Sequence, residues 1–533
     1  MKDPIRRVIS GLNRRWQHTQ NNQIFRAAAL EIADRAPITD QRPVVVFNAS
    51  TRLGGVSLNA GFSLLTAWSL RLSGVPVVHF VCQQGLSRCV LGTKRHDPHA
   101  LPPCRECVKQ SNALYEGAQV RPIVMLPDPS LEQELLGMDL QALLAIEVEG
   151  LPLGQLVLPS LRWILRCHTL NDNENTRFLV RQYLLSAWST ARQFSELLDE
   201  VNPQAVLVFN GMFYPEATAR YIAKQRGIRV VSHEVGLRPY TGFFTTGDAT
   251  AYPIDIPQEF ELDAEQNERL DDYLSQRFNG NFSMAGIRFW PELRPLDEEF
   301  LKKAAGFKQI VPVFTNVIFD TSQGHANVIF PDMFAWLDQA LDVMRAHPET
   351  LFVIRAHPDE TRPGKESHET VAQWVEQSGA VDLPNVVFVP SDQYFSSYDL
   401  IRRSKFVMVY NSTIGLEASL LGAAVLCGGK ARFTQLATVF FPQSVNEYRA
   451  KLEEFLLAES ISVPEEFARN ARRFLYYQLF KTSLPFGDFI EEDGVYKGYV
   501  KLRSFRFDDL QPENNSTFRV IHDGLFHNGS FLL

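Results

Sequence analysis

The chain of 533 residues lacks any apolar run near the ~18 residues of a membrane span, and its N-terminus lacks the apolar segment of a signal peptide. The expected location is therefore cytoplasmic. Positive charge is also short: 53 Lys and Arg against 61 Asp and Glu leave a formal net charge of −8, which argues against nucleic acid as a partner held by phosphate neutralisation. There is no GxxxxGK[ST] loop for ATP hydrolysis, and the glycine-rich stretch TRLGGVSLNAG departs from the dinucleotide fingerprint, which argues against NAD. Cysteine is scarce at six residues, yet four of them fall in one short segment. Long internal repeats and low-complexity segments are missing as well.

What is present is an ordinary globular composition, 45% hydrophobic and 21% charged, long enough for two or three domains with their own cores. PVVVFNAS reads as a buried strand, FSLLTAWSLRLSG as a helix stopped at Gly74, and VPVVHFVC as a second strand. A helical crossover of that kind favours a parallel sheet. QAVLVFNG, YPEATARYIAKQRG and IRVVSHEVG repeat the logic. Residues 90–200 are more helical, and residues 250–300 are Pro-punctuated and acidic, as suits an inter-domain passage. KQIVPVFTNV, LFVIRAHP, NVVFVP, KFVMVY and AAVLCGG then alternate with helical patterns. The fold expectation is α/β, with two Rossmann-like domains facing each other across a cleft. The boundaries read as 1–40 for an N-terminal basic amphipathic segment, 41–290 for the first domain with a Cys-rich insertion at 82–107, 300–465 for the second, and 466–533 for a helical, aromatic tail.

In open parallel sheets, ligands bind beyond the carboxyl ends of the strands. Asn411, Ser412 and Thr413 follow KFVMVY at such a place, where the N–H groups of a helix start suit phosphate. Glu417, four residues after Thr413 on roughly the same helix face, is placed to accept hydrogen bonds from a ribose diol. The competing reading makes Ser412 or Thr413 a mere N-cap and Glu417 an early-helix carboxylate favoured by the dipole. Arg-Ala-His-Pro occurs twice. Residues 345–348 end a helix, where Arg345 and His347 complement the dipole and Pro348 stops propagation. Residues 355–358 follow a strand, which puts His357 at the ligand edge, able to donate to a phosphate or act as an acid on a leaving group; the plainer alternative is a loop histidine paired with Asp359 or Glu360. Asn316 and Asp320 leave another strand and are candidates for the cleft wall or for simple turn chemistry. In the first domain His233 and Glu234 end a strand, each a candidate general base or half of a loop ion pair with Arg238 nearby.

Cys82, Cys89, Cys104 and Cys107 form the pattern C-x6-C-x14-C-x2-C. In a cytosolic chain this clustering suggests a structural metal site, zinc ahead of an iron–sulfur cluster, against the bland reading of reduced thiols. At the N-terminus Ile5, Val8, Ile9, Leu12 and Trp16 recur at helical spacing among Lys2, Arg6, Arg7, Arg14 and Arg15. Such a helix suits either peripheral docking on the inner membrane surface or packing on its own protein, and Gly11 weakens both.

The sequence FTNVIFD…VIRAHPDE…VYNSTIGLEASLLGAAVLCGG resembles the C-terminal domain of bacterial capsule and surface-polysaccharide glycosyltransferases. More distantly it is similar to CMP-Kdo transferases and the glycerophosphotransferases of teichoic acid synthesis. The resemblance covers residues 305–460 and fades in the first domain. It implies a GT-B fold with the nucleotide-sugar donor on the second domain, a glycan or lipid-linked acceptor and the base on the first, and no catalytic metal. By position it gives His357, Ser412 and Thr413 to the donor phosphate and Glu417 to the ribose. The alternatives are a nucleotide-sugar epimerase of the same fold and a non-catalytic nucleotide-sugar-binding scaffold protein.

Overall fold

The computed structural model describes residues 4–48, 55–278, 294–496 and 498–533. In chain order the strands are β1 (Val44–Asn48), β2 (Val56–Ser57), β3 (Val77–Cys82), β4 (Gln119–Ile123), β5 (Ala205–Phe209), β6 (Arg229–Val235), β7 (Thr241–Thr245), β8 (Gln309–Phe314), β9 (Thr350–Arg355), β10 (Val386–Val389), β11 (Val407–Val409), β12 (Val425–Cys427), β13 (Leu484–Pro485), β14 (Ile490–Glu492) and β15 (Tyr499–Leu502). The chain divides into two compact units. Unit 1 comprises Met1–Ile164, Leu170–Tyr252 and Leu479–Leu533, and unit 2 comprises Leu165–Thr169 and Pro253–Gln478.

Unit 1 carries a sheet of order β13-β7-β6-β5-β1-β3-β4. Strands β1, β3, β4, β5 and β6 pair in parallel, and β7 and β13 continue the sheet beyond β6 with antiparallel pairing. Val44, Val45, Val46 and Phe47 are all buried, which is why β1 reads as a continuous apolar run: a central parallel strand is covered on both faces. The helix Leu58–Leu72 starts earlier than its apolar run suggests, because Ser57 caps it by accepting from the Ala60 N–H at 3.2 Å. A three-stranded sheet of order β14-β15-β2 completes the unit.

The C-terminal stretch belongs to this same core. Phe486, Phe489, Phe518 and Phe531 are buried with Phe62 and Trp68 in one cluster, and β13 and β15 pair antiparallel with β7 and β2. Its aromatic richness is thus the signature of a core whose other half lies more than 400 residues earlier.

The N-terminal segment is a single helix, Pro4–Arg35, which runs through Gly11. Phe25, Ala28, Ala29 and Ile32 are buried in unit 1, while Trp16 is 65% exposed. The side chains of Lys2, Ile5, Arg6, Arg7, Val8, Ile9 and Leu12, on which the amphipathic reading rests, lie outside the described residues. Among the described residues no helix is long and apolar enough to cross a membrane.

Unit 2 carries a fully parallel sheet of order β10-β9-β8-β11-β12. The chain winds from β8 through β9 to β10 on one side, then returns to place β11 and β12 on the other. The winding therefore reverses between β8 and β11, the crevice where open parallel sheets bind ligands. The α/β expectation of two Rossmann-like units is borne out.

Candidate functional site

The carboxyl ends of β9, β8 and β11, three neighbouring strands, release three segments that the sequence singled out. Asn316 follows β8, His357 follows β9, and Asn411, Ser412 and Thr413 follow β11. At the reversal point the Asn316 side-chain amide donates to Asn411 Oδ1 at 2.7 Å, and the Asn316 Oδ1 accepts from the Val317 N–H at 2.8 Å. Gln323 reaches the same Asn411 oxygen at 3.4 Å. Sequence reasoning found Asn316 and Asn411 separately; that they touch is a consequence of strand order.

Thr413 is the N-cap of the helix Ile414–Leu420, but its side chain makes no capping hydrogen bond. A pure capping role would show one. Asn411 and Ser412 are 9% and 8% exposed, and Thr413 is half-buried. Gly415 faces inward: a Cβ there would lie 2.9 Å from both Phe433 and Val409, so its small size serves packing rather than ligand approach.

Glu417 has its two oxygens engaged. Oε1 accepts from the Arg277 guanidinium and Oε2 accepts from the Tyr398 hydroxyl at 2.5 Å. Both members of the ion pair are nearly buried, with side chains 9% and 8% exposed. Arg277 also donates to the Tyr273 hydroxyl at 3.0 Å. A ribose would have to displace Tyr398 or Arg277 to reach this carboxylate. The helix Ala264–Phe278, which brings Arg277, was legible only as part of an inter-domain passage.

His357 caps a short 3-10 turn, Pro358–Thr361, its Nδ1 accepting from the Asp359 N–H at 3.1 Å. Burial lowers its pKa; Asp359 and Asp320 oppose that, while Arg355 and Arg362 reinforce it. The ring is therefore neutral at neutral pH, a donor that carries no positive charge of its own. Asp320 is exposed and accepts from the Ser322 N–H at 2.8 Å, an Asx-type turn. Glu360 is buried, accepts from the Val371 N–H at 3.2 Å, and is pushed up by burial to about 8.

Sequence reasoning missed a five-residue segment from far upstream. Leu165–Thr169 belongs to unit 2. Its Arg166, in the left-handed region with φ 60°, is buried with its guanidinium over the Phe319 ring at 4.8 Å. Glu369 fixes the segment by accepting from the His168 N–H at 2.7 Å and the Thr169 N–H at 3.0 Å. The break between two helical patterns at RCHTLNDN was the available signal, and it says nothing of destination.

In unit 1, His233 and Glu234 lie at the end of β6 with opposite surroundings. His233 is fully buried, contacts Ser63 Oγ at 2.7 Å and Asn59 Oδ1 at 3.3 Å, and stacks on Phe244. Burial drops its pKa to about 3, far from the value a base needs at neutral pH. Glu234 is half-buried and held at both oxygens, by Asn59 Nδ2 and Asn210 Nδ2, each at 2.8 Å, and by its neighbour's N–H, Val235 N, at 2.9 Å. Asn59 thus bridges the two candidates. Asn59 and Asn210 went unrecognised because each looks like a loop asparagine in the sequence; Asn210 does occupy the left-handed region, with φ 59°.

The four clustered cysteines are all in unit 1 and all half-buried. Cys82 ends β3, Cys89 lies in the following loop, and Cys104 and Cys107 start the helix Cys104–Leu114.

No curated protein matches the chain. Among solved structures it is similar to the KpsC β-Kdo 2,7-transferase of Thermosulfurimonas dismutans, with 14% identity and a TM-score of 0.32, over 55% of this chain and 81% of that one. The β-Kdo 2,4-transferase of the same protein is similar at 10% identity and a TM-score of 0.35, over 53% and 80%. The UDP-GlcNAc 2-epimerase of Neisseria meningitidis, bound to UDP-GlcNAc, is similar at 12% identity and a TM-score of 0.23, over 81% and 96%. These are distant likenesses. Residues 302–454 match the family described as capsule polysaccharide biosynthesis protein, so the resemblance read from FTNVIFD, VIRAHPDE and VYNSTIGLEASLLG is borne out over that segment.

Proposed function

We propose that the protein is a glycosyltransferase of surface-polysaccharide synthesis that moves a sugar from a nucleotide-activated donor to a glycan or lipid-linked acceptor. The observation that carries this reading is the convergence of Asn316, His357 and Asn411–Thr413 on adjacent strand ends at the reversal point of the unit 2 sheet, inside the segment matching the capsule family. The hydroxyls of Ser412 and Thr413 and the ring N–H of His357 are assigned the donor's phosphate. Charge grows on that phosphate as the glycosidic bond breaks, and pre-organised donors are worth most where charge develops. A neutral histidine can donate the N–H it already carries and need not be protonated first. Glu417, tied to Arg277 and Tyr398, is assigned the job of fixing its helix. Glu234, oriented by Asn59 and Asn210, is assigned the proton of the acceptor hydroxyl, with His233 as its neutral buried support. Catalysis of this kind needs no metal. Peripheral attachment to the membrane through the basic N-terminal helix fits a lipid-linked acceptor, with Trp16 exposed on the part described.

The test is thermal unfolding of the full chain against CMP, CDP, UDP, GDP and ADP, followed by a transfer assay with the matching sugar nucleotide. A ligand at ~100 times its dissociation constant stabilises by about 2.7 kcal/mol. One nucleotide standing out, with the response lost in Ser412→Ala/Thr413→Val, supports the reading. A flat response to all five at saturating concentration removes it. Turnover of the donor without an acceptor would favour the epimerase, and nucleotide binding without transfer, unaffected by loss of Glu234 and His233, would favour the scaffold.

A further inference from the structure

We propose that Cys82, Cys89, Cys104 and Cys107 hold a structural zinc ion that ties both ends of the 83–103 loop in unit 1. The inference does not rest on the glycosyl-transfer reading. This loop joins β3 to the helix Cys104–Leu114 without a regular helix or strand between them. Loops of that length without internal elements are uncommon in compact domains and need something to hold them. The cysteines sit where a cross-link would act, two at its start and two at its end.

The backbone packs closely around the sulfurs at the start of the loop. Both cysteines at the start belong to a Cys-x-x-Gly turn, CQQG at 82–85 and CVLG at 89–92. In the second, the Gly92 N–H donates to Cys89 Sγ at 3.1 Å. Each glycine is required by close approach. A Cβ on Gly92 would lie 2.9 Å from the Cys89 sulfur and 2.6 Å from Pro102, and one on Gly85 would lie 2.3 Å from the Ile123 carbonyl oxygen. At the other end, Cys104 and Cys107 occupy the first turn of an 11-residue helix whose N-cap, Pro103, offers no capping side chain.

The loop is also pre-arranged. Arg88 donates to the Pro98 and His99 carbonyls at 2.7 and 2.6 Å and lies over the Phe178 ring. Thr93 donates to the Cys89 carbonyl at 2.7 Å. The Gly92 Cβ position that meets the Cys89 sulfur also meets Pro102, so this sulfur lies beside the residues that lead into Cys104. Among the described residues only His522, Asp523 and His527 bring three metal-type ligand atoms within 4.8 Å of one another, so the four sulfurs must draw closer to hold one ion. A tetrahedral zinc takes four sulfur ligands, releases their protons as it binds, and asks for no redox partner.

The test is elemental analysis of the full chain purified from zinc-supplemented medium, with cobalt(II) substitution as a spectroscopic readout. The expected result is one zinc per chain and, with cobalt, the sulfur-to-metal charge-transfer bands of a tetrahedral thiolate site. Losing a ligand's hydrogen-bond partner typically costs about 10–100-fold in metal affinity, so Cys104→Ser and Cys107→Ser should each cost ~100-fold or more. Cys167→Ser should cost nothing. If the serine variants do not fold, a chelator titration of the intact chain followed by hydrogen exchange should deprotect 83–103 in step with zinc release. Absence of zinc together with absence of cobalt bands overturns the proposal. So does iron with visible absorption, or zinc that survives loss of Cys107 and disappears with His522→Ala/His527→Ala.

Discussion

Arg-Ala-His-Pro at 345–348 and at 355–358 is one tetrapeptide in two environments, and the two histidines differ in almost every physical respect. The first ends the helix Met333–Ala346, where His347 is the C-cap. Its Nε2 contacts Glu453 at 2.8 Å and its Nδ1 contacts Glu349 at 3.1 Å. Burial opposes its charge, but the bonds to Glu453 and Glu349 outweigh burial and raise its pKa. The second follows β9, where burial wins and the pKa of His357 falls despite Asp359 and Asp320. One copy is held toward its charged form at a helix end; the other is held neutral at a ligand edge. Local sequence is identical, so the difference is made by what the fold brings opposite each ring.

The largest effect should separate the twins by activity. If His357 contacts the breaking bond's phosphate, His357→Ala lowers kcat by about 10²–10⁴-fold, the usual worth of a positioned acid or donor. His347→Ala should leave kcat within a factor of about two at temperatures where the variant is folded, since its contacts lie away from the strand end. A transfer assay on both variants breaks the comparison if they fall equally.

Glu417 sharpens the same distinction inside the second motif. Glu417→Ala strands the Arg277 guanidinium in a nearly buried place. Removing one partner of such a pair costs about 3–5 kcal/mol. Denaturant unfolding should show that loss, and Arg277→Met/Glu417→Leu together should recover much of it. A Glu417→Ala variant that unfolds like the wild type but no longer binds nucleotide would instead return the carboxylate to the ribose.

These contrasts mark how far the sequence was legible. The strand runs and the motif positions at strand ends follow from short-range pattern, because a parallel sheet buries whole apolar segments and leaves its polar residues at the exits. Partnerships did not follow. Arg277 meets Glu417 across 140 residues of chain, Glu369 meets His168 across 201, and the buried phenylalanines after residue 484 complete a core begun at β1. Each is set by tertiary packing, on which local periodicity is silent. The sequence did place His233 and Glu234 side by side, but only burial shows that one is a base candidate and the other a sealed neutral ring.

A smaller effect should appear as a pH dependence carried by the first twin alone. His347 has a folded pKa above its ordinary 6.5. Its bonds to Glu453 and Glu349 therefore stabilise fully below about 6.5 and lose that contribution as pH rises through the raised native value. His347→Gln should cost about 1 kcal/mol in mild acid, since both glutamates are partly exposed. The gap to wild type should narrow as pH rises past the native value. Urea midpoints at a series of pH values measure it. A gap that widens with pH would mean that the ring is neutral in the fold, as in its twin.

The smallest expected effect is on stability at Thr413, and its smallness is informative. A threonine that caps a helix through its hydroxyl costs about 1 kcal/mol when the hydroxyl is removed. Thr413 makes no such bond, so Thr413→Val should change stability by no more than about 0.5 kcal/mol. Its hydroxyl is then available to a ligand, and the nucleotide-dependent rise in melting temperature should shrink in the same variant. Loss of ~1 kcal/mol with an unchanged nucleotide response would make Thr413 a cap after all. The strand end after β11 would then resemble the first Arg-Ala-His-Pro, a terminus that the fold secures for its own sake.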